Sequence, residues 1–169
     1  VMQEHSEHIQ ILNVSVGQDI FGIHITRVQE IRVLTGLRKL PDSPAQWIGI
    51  IDFRDQMVPV LDLRILFHGK QPPLTDKTVV VVVNAPQGER DFLVGLVVDS
   101  VSDVASIKQQ SIRPAPVLEQ LPQQMVAGLY KVDDQLMVLL DVPALLRISN
   151  VSDVRSTLAS LTDEPLCGS

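Results

Sequence analysis

Four histidines, one cysteine and a run of aspartates are the first places to look for chemistry in this 169-residue chain. Their spacing gives them little to do. His5, His8, His24 and His68 are scattered, and no Cys or carboxylate stands at metal-ligand spacing around them. His5 and His8 lie in a polar leader and read as solvated; His24 reads as the outward residue of an alternating strand. Asp52, Asp55 and Asp62 are close in sequence but have no Asp-Ser/Thr-Gly signature and no basic partner set for acid–base work. Turn and edge solvation accounts for them better. Asp52-Phe53-Arg54 shares its first two residues with the metal-binding Asp-Phe-Gly of protein kinases, yet no glycine-rich loop, strand lysine or catalytic loop accompanies it. Gly49 and Gly95 stand alone, without a phosphate cradle. Cys167 has no histidine near it. The expectation is a protein without catalytic residues, metal or cofactor.

The charges that remain are placed as if to be read by another protein. The stretch Val28 to Arg64 carries Glu30 and Arg32 at one end and Asp62 and Arg64 at the other. Between them, a Pro-Asp-Ser-Pro turn precedes an apolar run, Trp47 to Phe53, which the polar Arg54-Asp55-Gln56 interrupts before Val58-Pro59-Val60. Those three polar residues read as a solvated hairpin turn presenting Arg54. Composition narrows the partner. A net charge of −6 argues against nucleic acid, because phosphate neutralisation needs clustered Lys and Arg. No apolar run approaches the roughly 18–20 residues of a membrane helix, so direct membrane insertion is not expected. The leader VMQEHSEH lacks the charged-then-apolar layout of a signal peptide. A single cysteine forbids an internal disulfide, and a reducing cytoplasm is the simplest expectation.

The elements that must hold these residues are mostly strands. Hydrophobic residues make up 45% of the chain but aromatics only 4%, so the core is built from Val, Ile and Leu, which favour strands. Gly17-Gln18-Asp19 turns Ile9–Val16 into Ile20–Ile25 as a first hairpin. Val28 to Ile31 is either a strand end or a short helical turn, and Ala45-Gln46-Trp47 reads as one helical turn. Gln56 to Leu63 is a strand, and His68 to Asp76 a polar boundary between subdomains. Thr78 to Val83 is a continuous β-branched run, as in a strand buried on both faces. Phe92 to Val98 returns from it and Val101 to Ile107 extends it. Met125–Lys131 and Leu136–Leu140 flank a second clear turn. From Asn150 onward the period changes: Val151, Val154, Leu158 and Leu161 fall at helical spacing. The string VSDV occurs at Val101 and again at Val151, in strand and helix contexts respectively, and reads as coincidence. Many short strands with regular turns argue for small barrels.

Several pieces, in order, carry a resemblance: Val28-Gln29-Glu30-Ile31-Arg32, Gly49, Arg54, Val58-Pro59-Val60 and Asp62-Leu63-Arg64, followed by GLVVDSVSDV from Gly95, IRPAP from Ile112, Gly128-Leu129 and MVLLDV from Met137. Together they resemble the CheW-type coupling domain of bacterial chemotaxis, over about Ile9 to Leu146. The resemblance implies a mainly β fold: two five-stranded β-barrel subdomains packed side by side, with a C-terminal amphipathic helix folded back on the first. The first barrel would span about 9–67 and the second about 77–142, within a domain at 9–147, and residues 148–169 would form the helix and tail.

The same resemblance implies a non-catalytic scaffold that couples chemoreceptors to a CheA-type histidine kinase. Its partners would be the kinase's regulatory domain and the cytoplasmic tip of methyl-accepting receptors, met in the cytoplasm at arrays on the inner membrane. The candidate partner-binding residues are Val28, Glu30, Ile31, Arg54, Val98 and Val101. Glu30 and Arg54 are either interface residues or ordinary surface charge. Val28 belongs either to the core or to an apolar groove; for Ile31, Val98 and Val101 the core is the favoured place. One departure stands out: Asp52 and Asp55 occupy positions where the family pattern has asparagine and glycine, adding negative charge beside Arg54. The alternatives are a regulatory domain of a divergent chemosensory system or of a fused signalling protein, and, from another class, a small-molecule-binding barrel.

Overall fold

A computed structural model describes residues 8–39, 44–69, 72–87, 90–114 and 125–148. Ten strands and two short helices follow one another: β1 (His8–Val16), β2 (Asp19–His24), β3 (Val28–Val33), β4 (Trp47–Phe53), β5 (Gln56–Asp62), α1 (Leu63–His68), β6 (Val79–Gln87), β7 (Arg90–Val98), β8 (Ser100–Lys108), β9 (Val126–Val132), β10 (Gln135–Leu140) and α2 (Val142–Ile148). They form two five-stranded sheets, ordered β8-β1-β2-β10-β9 and β3-β6-β7-β5-β4. The mainly β character and the paired five-stranded units agree with the sequence. The division along the chain does not. Each sheet takes strands from both halves, so neither 9–67 nor 77–142 makes a unit alone. The reason is pairing that no local pattern displays: β2 lies parallel to β10, with Leu139 opposite Gly22, and β5 lies parallel to β7, with Val60 opposite Gly95.

Alternation along the strands divides the apolar residues among three cores. Val80 and Val82 face the interior of the second sheet with Ile51, Phe53, Val58, Val60 and Val97. Val81 and Val83, one residue out of phase, face a seam shared with Leu12, Val14, Phe21 and Ile23 of the first sheet. Ile11, Ile107, Tyr130, Met137 and Leu139 fill the first sheet's own interior. The Val80–Val83 run is thus buried on both faces, as its continuous β-branched sequence required. Among the described residues, the edges of each sheet approach one another through a single bridge, Arg38 to Ile50 in the second and Arg113 to Leu129 in the first.

A repeat links the halves. Asp55-Gln56 and Asp62 recur as Asp134-Gln135 and Asp141 at one constant interval, each set spanning a hairpin and the start of a helix. The turns match in detail: Arg54 and Asp55 have φ of 51° and 64°, Asp133 and Asp134 of 50° and 67°. Both are two-residue hairpin turns with positive φ at each central position, the class whose twist suits paired strands. A side chain on Gly49 would meet the Arg38 carbonyl, and one on Gly128 the Arg113 carbonyl. The bulges in β3 and in the β1–β8 pairing fall at corresponding places. The VSDV coincidence concealed this longer, real repeat; its second copy, like the whole helix expected from Asn150, lies outside the described residues.

Two helices were missed. Leu63–His68 continues the apolar run of β5, which hid the change of conformation. Asp62 stops the strand by accepting a hydrogen bond from the Arg64 amide at 2.9 Å, a side-chain cap on the first turn. Asp141 plays the same part before α2, accepting from the Ala144 amide at 3.1 Å. Gly69, at φ 75°, closes α1 in the left-handed conformation and donates its amide to Ile65. Val28 to Val33 is strand throughout, preceded by a 3₁₀ turn at Ile25–Arg27.

Candidate functional site

The second sheet ends in a mouth where charge gathers over an aromatic ring. β3 is an edge strand whose pairing with β6 half-buries Val28, Glu30 and Arg32 and turns Gln29, Ile31 and Val33 outward. Across the mouth, the β4–β5 turn lifts Arg54 into solvent, its side chain 67% exposed. Glu30 stands between two guanidinium groups, its carboxylate 3.7 Å from Arg32 and 4.0 Å from Arg54. Both cations also lie against Phe53, whose ring centre is 5.7 Å from the Arg32 guanidinium carbon and 4.8 Å from that of Arg54. Arg32 further donates from Nη2 to the Asp52 carbonyl at 3.0 Å, while its Nε is enclosed without a hydrogen-bond partner.

Each of these contacts is individually small. An exposed ion pair contributes about 0–1 kcal/mol and an exposed cation–π contact about 0.5–1 kcal/mol. Their joint effect is positional: Glu30 and Phe53 hold two long, otherwise mobile cations in one orientation. Ile31 and Val33, each 42% exposed, add an apolar strip directly beside them. Charge at a rim and apolar surface alongside suit recognition of a protein surface. The Thr26 hydroxyl lies 2.9 Å from His24 Nδ1 at an exposed position away from this mouth, and among the described residues no three metal-ligating side chains come together.

The six candidate residues separate into four kinds. Glu30 and Arg54 meet. Ile31 is on the surface, not in the core where the sequence reading favoured it, because the bulge between Val28 and Glu30 sets which residues of β3 point out. Val28 and Val101 are half-buried against the seam, at corresponding positions on β3 and β8. Val98 is fully enclosed in the seam and presents nothing to solvent. Arg32, one of the charges framing the Val28–Arg64 stretch, and Phe53 are not among the six sequence candidates; the alternation of β3, which places Arg32 on the same face as Glu30, was the available signal.

A second charged cluster lies between the sheets. Arg64 donates from Nε and Nη2 to the two oxygens of Asp62, both at 2.9 Å, and its Nη1 is 3.7 Å from Asp99. Burial alone would lower the Arg64 pKa, but the hydrogen bonds and charges of Asp62 and Asp99 outweigh it and hold the guanidinium charged. Asp99 also accepts from the Gly17 amide at 2.6 Å, and its own amide donates to Ser15. Asp62 and Arg64 come from the first half's β5–α1 corner, Asp99 from the β7–β8 turn and Gly17 from the β1–β2 turn. Elements of both sheets are therefore fastened at one point.

The sequence pattern of the CheW-like domain matches residues 10–150, most of the chain. The chain belongs to the CheW-like domain family. It is 35% identical over 138 residues to the chemotaxis protein CheW of Klebsiella aerogenes, covering 81% of each chain. It is 30% identical over 137 residues to the probable chemotaxis protein CheW of Rhizobium etli, covering 80% of this chain and 86% of that one. The crystal structure of the scaffolding protein TtCheW from Thermoanaerobacter tengcongensis superposes with a TM-score of 0.72 at 25% identity, covering 84% of this chain and 90% of that one. In this CheW-like chain, Glu30 and Arg54 thus occupy a shared mouth, while Asp52 and Asp55 border it as the departures noted in the sequence.

Proposed function

We propose that this chain is a non-catalytic chemosensory adaptor that joins the cytoplasmic tip of chemoreceptors to the regulatory domain of a CheA-type histidine kinase. The observation that carries this reading is the mouth of the second sheet, where Glu30 orients two cations beside the exposed Ile31 and Val33. Membership of a family whose relatives are named as chemotaxis and scaffolding proteins supports it. Val28, Glu30, Ile31, Arg54 and Val101 serve as contact or rim residues, and Val98 supports the surface from beneath. Several modest contacts to two partners assemble an array through effective concentration rather than through one tight bond. The site of action is the cytoplasmic face of the inner membrane, reached by binding receptors; no helix among the described residues is long and apolar enough to cross a membrane.

The test pairs a thermal melt with capture by a kinase regulatory domain and by a receptor-tip fragment. Arg54→Glu removes only exposed contacts, so stability should change by less than about 1 kcal/mol. Capture of at least one partner should fall about tenfold or more. Unchanged capture of both partners would remove Arg54 from the interface, and a large fall in melting temperature would make its role structural.

A further inference from the structure

The repeat and the sheet orders together describe two equivalent units that have exchanged parts. The first unit runs from β1 to α1 and the second from β6 to α2. The opening hairpin of each unit is built into the sheet that the other unit completes: β1 and β2 join β8, β9 and β10, while β6 and β7 join β3, β4 and β5. Four strand pairings cross between the units, β1 with β8, β2 with β10, β3 with β6 and β5 with β7. The Arg64–Asp99 contact and the Asp99–Gly17 hydrogen bond cross as well.

All of these contacts are made by complementary surfaces, and none requires the two units to belong to one chain. The covalent link between units is the α1–β6 connection, whose residues Pro72 to Lys77 are exposed outside both sheets. We propose that this chain can complete its sheets with the units of a second copy, giving a closed twofold dimer in which the four crossing pairings form between chains and the hairpin pairings stay within each chain. Exchange of this kind is inexpensive because the two states differ mainly at the connection, and a shortened connection favours the dimer. Glu30 and Arg54 lie in the same unit, so the exchanged dimer carries two intact mouths and becomes a bivalent form of the protein.

Deleting residues 70–76 joins Gly69 directly to Lys77 and shortens the connection through which one chain closes on itself. The variant should elute at twice the monomer mass by light scattering, with an unchanged β-sheet circular dichroism spectrum. The pairing is then tested directly in a Cys167→Ser background. Ser15 on β1 lies opposite Ser100 on β8, across the unit boundary. Shortened chains carrying Ser15→Cys, refolded together with shortened chains carrying Ser100→Cys, should form an interchain disulfide. The full-length double variant serves as a control and should close the same bond within one chain. A folded monomer on shortening, or failure of the interchain bond to form while the control closes, would overturn the proposal.

Discussion

At the scale of single residues, the Arg54-Asp55 turn combines exposed charge with strain. Both residues sit at positive φ, where a side chain costs about 1–2 kcal/mol and glycine is at ease. Asp133 and Asp134 bear the same cost at the corresponding turn. Asp55→Gly should therefore stabilise the protein by about 0.5–1 kcal/mol, the relief being partly offset by the greater freedom of glycine in the unfolded chain. Asp134→Gly should act in the same direction, and urea titration of both variants checks it. A loss of stability in either would show that the aspartate makes a compensating contact. The sequence displayed Arg54 as an exposed turn residue beside strand ends, and the structure agrees. It did not display the strain, because Arg-Asp lacks the Asn-Gly or Asp-Gly signal by which such turns announce themselves. Ile31 was equally illegible, since an edge-strand bulge decides which face it takes.

At the scale of elements, the strands were legible wherever β-branched runs met polar turns, as at Val79–Val83 and around Gly17. The helices were not. Each has fewer than two full turns, too short for a helical period to emerge from the apolar residues that continue β5 and β10. The first sheet shows what a polar pair inside an element costs and supplies. Tyr130 donates its hydroxyl to Asn13 at 2.7 Å in the interior, and burial raises the phenol's pKa above its ordinary value. The neutral form is the one the fold holds. Its contribution is complete below the unfolded pKa of about 10 and is lost as pH rises beyond it. Tyr130→Phe should cost about 1–3 kcal/mol at pH 7 by leaving the buried Asn13 oxygen without its donor. It should also flatten the decline in stability above pH 10. Urea unfolding at pH 7 and at pH 10.5 measures both effects, and an equal alkaline decline in the variant would place its cause elsewhere.

At the scale of the whole molecule, the seam packs the two sheets against each other through one shared core. Trp47 belongs to the second sheet and faces the seam; Tyr130 fills the interior of the first. They are the only tryptophan and tyrosine in the chain, so each sheet carries its own optical probe. Melts followed by Trp47 fluorescence and by Tyr130 absorbance should share one midpoint, as a two-state transition requires. Separate midpoints would mean that the sheets unfold independently. The strand-rich character of the molecule was readable from composition and turn spacing, and its family from ordered motifs. The interleaving was not readable, because parallel pairings such as Val60 with Gly95 join residues with nothing local in common.

That interleaving also sets a schedule for the ribosome. When α1 has emerged, β1 and β2 still lack β8 and β10, and β3 to β5 still lack β6 and β7. The early half of the nascent chain thus waits with open strand edges and half of the seam exposed to solvent, the condition in which misassociation is most hazardous. Productive folding begins only once β6 and β7 leave the exit tunnel, and the last ladders close only with β10.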